Sequence, residues 1–174
     1  MMYFLDFDRT LFDTERFITY LTQRTGTEHF FWGSSEAPLA QAFEMIADTS
    51  ELAFAPGELA PFVYPDVPEF LRMLGNEAVI VTHGNPVFQK MKIISALAGI
   101  PRISALYVGN EPKGLFLAPR YAGYSSEQIF TDDTPPELES VAAHCPSIRL
   151  FEMRRDGGPG DGRWPVARSL IGLP

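Results

Sequence analysis

Residues 3–10 read YFLDFDRT, and the fold is decided by this stretch. A short apolar run, typical of a buried strand, ends at Asp6, and a second carboxylate follows at Asp8. Side chains two positions apart in a strand point the same way, so both carboxylates start on one side of the backbone. Two carboxylates this close repel each other and lose hydration unless they share a cation or a proton. A hydrophobic core gains nothing from this pair, whereas a metal-assisted reaction can use it.

Apolar strands alternate with amphipathic helices through the second half of the chain. The predicted strands cover residues 2–7, 78–82, 103–108, 128–131 and 147–151, and the predicted helices cover residues 66–74, 86–97 and 135–143. The strands lack the alternation of a half-exposed sheet, which predicts a parallel sheet with helices on both faces. The predicted fold class is therefore α/β, a three-layer Rossmann-like arrangement.

Two details of this pattern are specific enough to test. The helix at residues 86–97 has an apolar stripe that is predicted to face the core, formed by Val87, Met91, Ile94 and Leu97. Residues 166–171 are interpreted either as a last short helix or as a frayed end.

An insertion interrupts the alternation directly after Asp6 and Asp8. It carries helical signals at residues 14–25 and 34–46 but no strand signal. Its position after the two carboxylates predicts a cap over the edge of the sheet. The predicted domains are a Rossmann-like core, residues 1–13 and 65–174, and a small helical cap, residues 14–64.

Three consecutive aromatic residues in the insertion have two interpretations. Phe30, Phe31 and Trp32 either hold the two cap helices together or form an apolar wall over a substrate or against another copy of the chain. His29 is interpreted as non-catalytic because it lies within the insertion. The oligomeric state stays open.

Composition and charge exclude several classes of protein. Hydrophobic residues make up 45% and charged residues 21% of the 174 residues, which suits one globular domain with a small insertion. Fourteen lysines and arginines against 22 aspartates and glutamates give a formal net charge of -8, without the basic face that binds nucleic acid. No apolar stretch approaches the about 20 residues of a membrane span, and the N-terminus does not read as a signal peptide. Cys145 is the one cysteine, so no internal disulfide forms, and a cytoplasmic location is expected.

Polar clusters from three distant segments follow apolar strands. Open α/β sheets bind ligands at the carboxyl ends of their strands. The residues expected at those ends are Asp6 with Asp8, Thr82 with His83 and Asn85, and Asp132 with Asp133. Each of these residues alone could be a helix cap or a turn residue, because Asp, Thr and Asn favour such places. All three clusters together predict a functional site.

The ordered motifs resemble those of the haloacid dehalogenase-like hydrolase superfamily. The first family motif is an apolar strand followed by Asp-x-Asp-x-Thr, here residues 4–11, and the second is an apolar strand ending in Ser or Thr, here residues 79–82. The third is a lysine upstream of the fourth strand, best matched by Lys113, which lies in a predicted turn at residues 111–114. The fourth is an apolar strand ending in acidic residues, here residues 129–133. The resemblance covers most of the chain, in the family's order.

The resemblance implies phosphoryl transfer assisted by Mg2+. Asp6 would be the nucleophile that forms an aspartyl-phosphate, and Asp8 would be the general acid for the leaving oxygen and then the general base for water. Mg2+ would be held by Asp6, the backbone carbonyl of Asp8, and Asp132. Thr82 would bind a phosphoryl oxygen, and Lys113 would offset its charge.

Several neighbouring residues have open roles. Asp133 either supports the metal or caps the helix that begins at Pro135, and Thr10 is expected to shape the turn. His83 and Asn85 are candidates for substrate contact, with a turn role favoured for Asn85.

Two basic residues also carry alternatives. Lys90 competes with Lys113 for the role of the site lysine, although a solvated helix surface is the usual place for such a residue. Arg9 stands where the family often has glycine, and it either reaches a substrate anion or lies on the surface.

The predicted function is a Mg2+-dependent phosphatase that hydrolyses a small phosphorylated metabolite. Asp8 and the pair Asp132 and Asp133 favour phosphate chemistry over dehalogenation, which on this fold needs only the first aspartate and no metal. The alternatives are a phosphotransferase or phosphomutase with the same covalent step, and a non-catalytic phosphate-binding module. Neither nucleic acid nor a membrane is expected as a partner.

Overall fold

A parallel sheet of six strands forms the centre of the computed structural model, which describes residues 1–25, 53–121 and 123–174. The strands are β1 Met2–Leu5, β2 Ala78–His83, β3 Ser104–Gly109, β4 Gln128–Asp132, β5 Arg149–Met153 and β6 Val166–Ala167. Their order across the sheet is β3-β2-β1-β4-β5-β6, and every neighbouring pair is parallel. The predicted α/β class with a parallel sheet is confirmed.

Helices cover both faces of this sheet. The α-helices of the described ranges are α1 Thr14–Thr25, α2 Val67–Leu74, α3 Pro86–Ala96, α4 Lys113–Tyr121 and α5 Pro135–His144. Leu5 and Ile80 pack in one hydrophobic cluster with α1, α2 and α3. Phe4 and Val79 pack in a second cluster with α4 and α5. Because alternate strand residues enter opposite clusters, the strands are buried on both sides, as predicted for a three-layer fold.

The strand order creates a crevice above the middle of the sheet. From β1 the chain adds β2 and β3 on one side, whereas β4, β5 and β6 extend the sheet on the other side. Leu5 pairs with Ile80 on one side and with Thr131 on the other. Such a switch point leaves room for a ligand outside the carboxyl ends of β1 and β4, the neighbouring strands from which the chain continues in opposite directions. The acidic residues that follow β1 and end β4 meet there.

Two elements differ from the sequence-based expectation. Lys113, predicted to lie in a turn, is the first residue of α4. Gly114 and Pro119 have low helix propensity, so the sequence did not predict this short helix. Residues 166–171, expected to be helical or frayed, contain the strand β6, which pairs with β5.

Helices α4 and α5 approach each other closely at one glycine. The N–H of Gly114 donates to the hydroxyl of Ser140 at 3.1 Å. A Cβ atom at position 114 would collide with the carbonyl oxygen of Ser140. The glycine therefore serves helix packing, and it sets the position of its neighbour Lys113.

The inner face of α3 is not the apolar stripe that the sequence predicts. Val87 and Ile94 are 57% and 56% exposed. The buried side chains of the helix include three polar ones, Gln89, Lys92 and Ser95. The stripe prediction was wrong for Val87 and Ile94, because it assumed that polar residues face the solvent, whereas Leu97 is buried and Met91 packs against the core. In α3 the buried polar side chains instead form hydrogen bonds with groups of other segments.

Asp66 directly precedes α2, but its side chain does not cap the helix. Its Oδ2 atom accepts hydrogen bonds from the Ser169 hydroxyl at 2.8 Å and from the Leu170 N–H at 2.7 Å. Both carboxylate oxygens lie 2.9 Å from Nη1 of Arg155. Arg155 also donates from Nε to the carbonyl oxygen of Thr10 at 2.9 Å. The carboxylate therefore ties the C-terminal segment to the start of α2.

Helix α1, predicted as part of the cap, packs on the core. Phe17 and Leu21 belong to the same buried cluster as Leu59. Near the end of the helix, Nη2 of Arg24 donates to the carbonyl oxygen of Ala53 at 3.1 Å. The chain on either side of residues 26–52 therefore meets at Arg24.

The rest of the predicted cap lies outside the described residues. This applies to the second cap helix at residues 34–46 and to His29, Phe30, Phe31 and Trp32. The division into a core and a cap stays a prediction. Across the part of the chain that the structure does describe, no helix is long and apolar enough to cross a bilayer.

Candidate active site

A cleft of about 460 Å³ opens at the carboxyl ends of the central strands. It gathers residues from the predicted motifs, which lie far apart in the sequence. The predicted site residues that line it are Asp6, Asp8, Thr82, His83, Asn85, Lys113 and Asp133, and Arg9 lies beside them. Asp132 lies just below, 1% exposed. The structure thus brings the predicted motifs together at one edge of the sheet.

Lys113 joins the two acidic motifs below the cleft. Its Nζ atom lies 2.5 Å from Oδ1 of Asp6 and 2.7 Å from Oδ2 of Asp132. The three side chains are buried, at 2%, 8% and 1% exposure respectively. Lys90, the rival for this role, is exposed on α3. The structure places Lys113, and not Lys90, in the site.

The charges in this cluster are strongly coupled. Burial raises the pKa of the Asp6 carboxyl well above its usual value; the Lys113 ammonium opposes the rise, and the charges of Asp132 and Asp133 add to it. Burial acts to lower the pKa of Lys113, but the carboxylates of Asp132 and Asp6 outweigh it and raise the pKa. Lys113 therefore remains a fixed cation beside Asp6.

Three carboxylates form a group that suits a divalent cation. Asp6, Asp132 and Asp133 each offer an oxygen, and these oxygens lie within 4.8 Å of one another. Oδ2 of Asp6 is buried and has no hydrogen-bond partner within the described part of the chain. Hard cations such as Mg2+ prefer oxygen ligands, and this unpartnered atom is free to be one. The residues therefore fit the metal that the motif resemblance implies.

Asp133 belongs with the acidic group rather than with a helix cap. The N-cap of α5 is Thr134, whose N–H donates to Oδ1 of Asp132 at 2.9 Å. Burial, followed by the charge of Asp132, raises the pKa of Asp133 to about 6, although Arg9 and Lys113 oppose the rise. Of the two roles that the sequence left open for Asp133, the helix-cap role is disfavoured because Thr134 occupies the N-cap position.

The Asp8 carboxylate is held by three donors and turns away from the acidic group. Oδ1 accepts from Nζ of Lys92 at 2.6 Å and from the Thr14 hydroxyl at 2.7 Å. Oδ2 accepts from Nε2 of Gln89 at 2.9 Å. Burial acts to raise the pKa of Asp8, but the Lys92 charge and the three hydrogen bonds outweigh it and lower the pKa below its usual value. Asp8 is therefore held as a carboxylate.

Sequence reasoning missed Lys92, whose side chain is 0% exposed. Within the described residues, its Nζ atom lies 5.2 to 5.5 Å from the ring centres of Phe7, Phe12, Phe17 and Phe88. Aromatic rings attract a cation to their faces, which helps to offset the hydration that a buried ammonium loses. One signal pointed to it. Gln89 and Lys92 are three residues apart, so they share one face of the helix that follows the second motif.

Thr82 and His83 lie at the end of β2 on the wall of the cleft. Thr82 is buried, and its hydroxyl lies 3.4 Å from the carbonyl oxygen of His83. The His83 ring contacts the carbonyl oxygen of Glu111 through Nε2 at 2.8 Å. Its Nδ1 atom lies 3.7 Å from Glu137, whose other oxygen accepts the N–H of Lys113 at 2.8 Å. Both nitrogens of the His83 ring thus contact neighbouring segments at the edge of the cleft.

Asn85 caps a helix, and Thr10 lies outside the cleft. Oδ1 of Asn85 accepts from the N–H groups of Val87 at 2.9 Å and Phe88 at 3.2 Å, so this residue is the N-cap of α3. Thr10 is fully buried and does not line the cleft. Both placements agree with the turn roles that the sequence favoured.

Arg9 adopts a left-handed backbone conformation, with φ of 58°, at the position where the family often has glycine. Nη2 and Nε of Arg9 donate to Oε1 of Glu15 at 2.8 and 3.0 Å. The side chain is 44% exposed and lines the cleft. Arg9 thus combines a surface ion pair with a place on the cleft wall.

Solved structures match the chain over most of its length, whereas no family model and no curated protein sequence matches it. A protein from Burkholderia xenovorans LB400 assigned to the haloacid dehalogenase-like hydrolases is 21% identical, with a TM-score of 0.60 over 97% of this chain and 90% of its own. A haloacid dehalogenase-like family hydrolase from Xanthomonas campestris is 16% identical, with a TM-score of 0.53 over 95% and 88%. YfnB from Bacillus subtilis, assigned to the same hydrolases and bound to magnesium, is 13% identical, with a TM-score of 0.58 over 98% and 95%. The chain therefore has the haloacid dehalogenase-like fold, and the resemblance seen in its motifs is confirmed at the level of the fold.

Proposed function

We propose that the protein is a Mg2+-dependent phosphatase that hydrolyses a small phosphorylated metabolite through an aspartyl-phosphate on Asp6. One observation carries the proposal. A buried carboxylate with an unpartnered oxygen lies 2.5 Å from a buried lysine and beside two further carboxylates, at the switch point of the sheet. This combination of nucleophile, fixed cation and oxygen ligands is what phosphoryl transfer to a carboxylate requires.

In the first step an oxygen of Asp6 forms a bond to phosphorus while the ester bond breaks. The ester oxygen leaves with the bonding electron pair and takes up a proton from Asp8, the general acid. Lys113 offsets the charge shared by Asp6 and the phosphoryl group, and the Thr82 hydroxyl donates to a phosphoryl oxygen. Positioning and charge neutralisation therefore supply most of the rate enhancement.

In the second step water attacks the phosphorus of the aspartyl-phosphate. Asp8 takes a proton from this water, the bond between Asp6 and phosphorus breaks, and inorganic phosphate leaves. Asp6, Asp132 and the backbone carbonyl of Asp8, with Asp133 beside them, would hold Mg2+, which would supply positive charge that lets anionic groups approach one another. The magnesium bound to YfnB supports this choice of metal.

The proposal extends to the setting of the reaction. A formal charge of -8 disfavours nucleic acid as a partner, and the one cysteine, Cys145, is buried and free, as in proteins of the reducing cytoplasm. We therefore propose a cytoplasmic enzyme whose partner is a small phosphorylated substrate.

The test is an assay of phosphate release from a panel of phosphomonoesters, with Mg2+ or with EDTA. We expect turnover that needs the metal and that falls by more than about 10³-fold in Asp6→Asn, because the nucleophile is lost. Asp156→Asn is the matched control, since this carboxylate is 63% exposed and lies outside the cleft.

Other outcomes separate the alternatives. Metal-independent turnover of a haloacid would identify a dehalogenase instead. Transfer of the phosphoryl group to an added sugar hydroxyl, without release of inorganic phosphate, would identify a phosphotransferase or phosphomutase. Phosphate binding without turnover of any ester would identify a binding module.

A further inference from the structure

We propose that Lys92 is a positioning residue of this phosphatase. Together with Gln89 and Thr14 it fixes the Asp8 carboxylate so that Oδ2 takes the proton from the water that hydrolyses the aspartyl-phosphate. The inference rests on the proposed function, and it assigns a role to a residue outside the four sequence motifs.

The donors divide unequally between the two oxygens of Asp8. Oδ1 receives two hydrogen bonds, at 2.6 Å from the Lys92 ammonium and at 2.7 Å from the Thr14 hydroxyl. Oδ2 receives one, at 2.9 Å from the neutral amide of Gln89. A carboxylate oxygen can accept more than one hydrogen bond, so Oδ2 retains capacity for a further proton donor. Asp8, Thr14 and Gln89 all line the cleft, which places this capacity where water can reach it.

The side chain of Lys92 is held rigidly in its ion pair with Asp8. Its side chain is 0% exposed, and its ammonium lies among phenylalanine rings at 5.2 to 5.5 Å from their centres. An enclosed lysine has lost the rotamer freedom that weakens ion pairs on a surface. A charged hydrogen bond to one oxygen therefore restricts rotation of the Asp8 carboxylate and favours a single orientation.

The helix supplies two of these donors from one face. Gln89 and Lys92 are three residues apart on α3, so their side chains emerge next to each other. A lysine buried on the inner face of a helix is disfavoured unless it has a partner, and here the partner is Asp8. This role accounts for two of the three buried polar residues of α3, whereas Ser95 bonds the backbone of Ala55 and Leu59.

Hydrolysis of the aspartyl-phosphate transfers one proton from water to Asp8. The water oxygen forms a bond to phosphorus, and one water proton passes to Oδ2 of Asp8. The bond between phosphorus and the Asp6 oxygen breaks, and its electron pair restores the Asp6 carboxylate. Inorganic phosphate leaves, and the proton on Asp8 is available to the leaving oxygen of the next substrate molecule.

The experiment is rapid-mixing kinetics of Lys92→Met with Mg2+ and 4-nitrophenyl phosphate. This ester has a good leaving group, so the first step does not need a proton from Asp8. We expect a burst of about one 4-nitrophenolate per active site at the wild-type rate. The steady-state rate should then be lower by about 10- to 100-fold, a part of what general acid–base catalysis contributes. Mass spectrometry of quenched samples should show phosphorylated Asp6 accumulating.

The matched control is Lys90→Met, which removes an exposed lysine from the same helix. We expect its burst and steady-state rates to equal those of the wild type. The double variant Lys92→Met with Asp8→Asn should be no slower in the steady state than Asp8→Asn alone, because a positioning residue acts only through the group that it positions.

Three results would overturn the role of Lys92. They are equal losses in the burst and the steady state, unchanged kinetics, and a further steady-state loss in the double variant. Gln89→Met provides a second route if Lys92→Met fails to fold, and it should show the same pattern with a smaller loss. Absence of turnover by the wild-type protein is a distinct result that overturns the proposed function, and this role with it.

Discussion

Asp6 and Asp8 stand two positions apart in the sequence, and their side chains meet opposite surroundings. Burial raises the pKa of Asp6 despite the nearby Lys113. The Lys92 charge, with hydrogen bonds from Lys92, Thr14 and Gln89, lowers the pKa of Asp8 despite its burial. At neutral pH the charge on Asp6 therefore opposes folding, whereas the charge on Asp8 contributes to the free energy of unfolding.

The two inactivating substitutions should differ in their effect on stability. Asp8→Asn removes the carboxylate that pairs with the buried Lys92 ammonium, so we expect the free energy of unfolding at pH 7 to fall by about 3 kcal/mol. Asp6→Asn removes a disfavoured charge while Lys113 keeps its bond to Asp132. We expect stability equal to or above that of the wild type. Denaturant titration without metal checks the order, and a larger loss in Asp6→Asn would contradict it.

The sequence predicted the position of a site residue where that residue belongs to a motif at the end of a strand. Asp6, Asp8, Thr82 and Asp132 each follow or end an apolar strand, and parallel strands bring such positions to one edge. Lys92 gave no comparable signal, because a lysine on a helix is usually solvated. Only the packing of α3 on the sheet reveals which of its faces is buried.

At the scale of elements, the wrong predictions for helices α3 and α4 have physical causes. Helix α4 was missed because Gly114 and Pro119 disfavour helix, whereas its packing on α5 stabilises it. The buried face of α3 was misjudged because the site needs polar groups there. Local propensity fails at these places, and both of them support the candidate site.

The contact between α2 and the C-terminal segment should depend on pH through Asp66. Although burial acts to raise its pKa, the bonds from Leu170, Arg155 and Ser169 lower it below the unfolded value. The stabilisation is therefore complete above about pH 4, the usual pKa of aspartate, and it is lost as pH falls through the folded pKa.

Asp66→Asn should accordingly lower the free energy of unfolding by about 1–3 kcal/mol at pH 7. This difference from the wild type should shrink as pH falls below about 4. Denaturant titrations at several pH values measure it, with the exposed Asp156→Asn as control. A difference that stays constant down to the lowest pH would contradict the assignment.

At the scale of the whole molecule, the order of motifs predicted the architecture well. A parallel sheet buried on both faces needs continuously apolar strands, and residues 78–82 and 128–131 have that character. The edge strand β6 was not predicted, because two residues carry too little pattern to distinguish a strand. Among the described strands, it pairs only with β5, at the edge of the sheet away from β1.

The core should fold without residues 26–52. Phe17, Leu21 and Leu59 lie outside this range and belong to the buried cluster of the core, and Arg24 contacts Ala53 across its ends. Replacement of residues 26–52 by a short Gly-Ser linker should therefore leave a cooperatively folded protein that still hydrolyses an aryl phosphate. Discrimination among metabolite phosphates should fall, as expected when part of a cap is lost.

Thermal unfolding and a substrate panel check this prediction. An unfolded variant would show that residues 26–52 belong to the core. Unchanged discrimination would show that they take no part in substrate selection.

The contact of Gly114 with Ser140 has a consequence for recognising distant relatives of this chain. Any side chain at position 114 would push α4 and α5 apart, and Lys113 at the start of α4 would move with its helix. A homologous sequence with a larger residue directly after the lysine must therefore reach the acidic group along a different path. The pair Lys113 and Gly114, taken as one unit, is thus a more discriminating search pattern than the isolated lysine of the third motif.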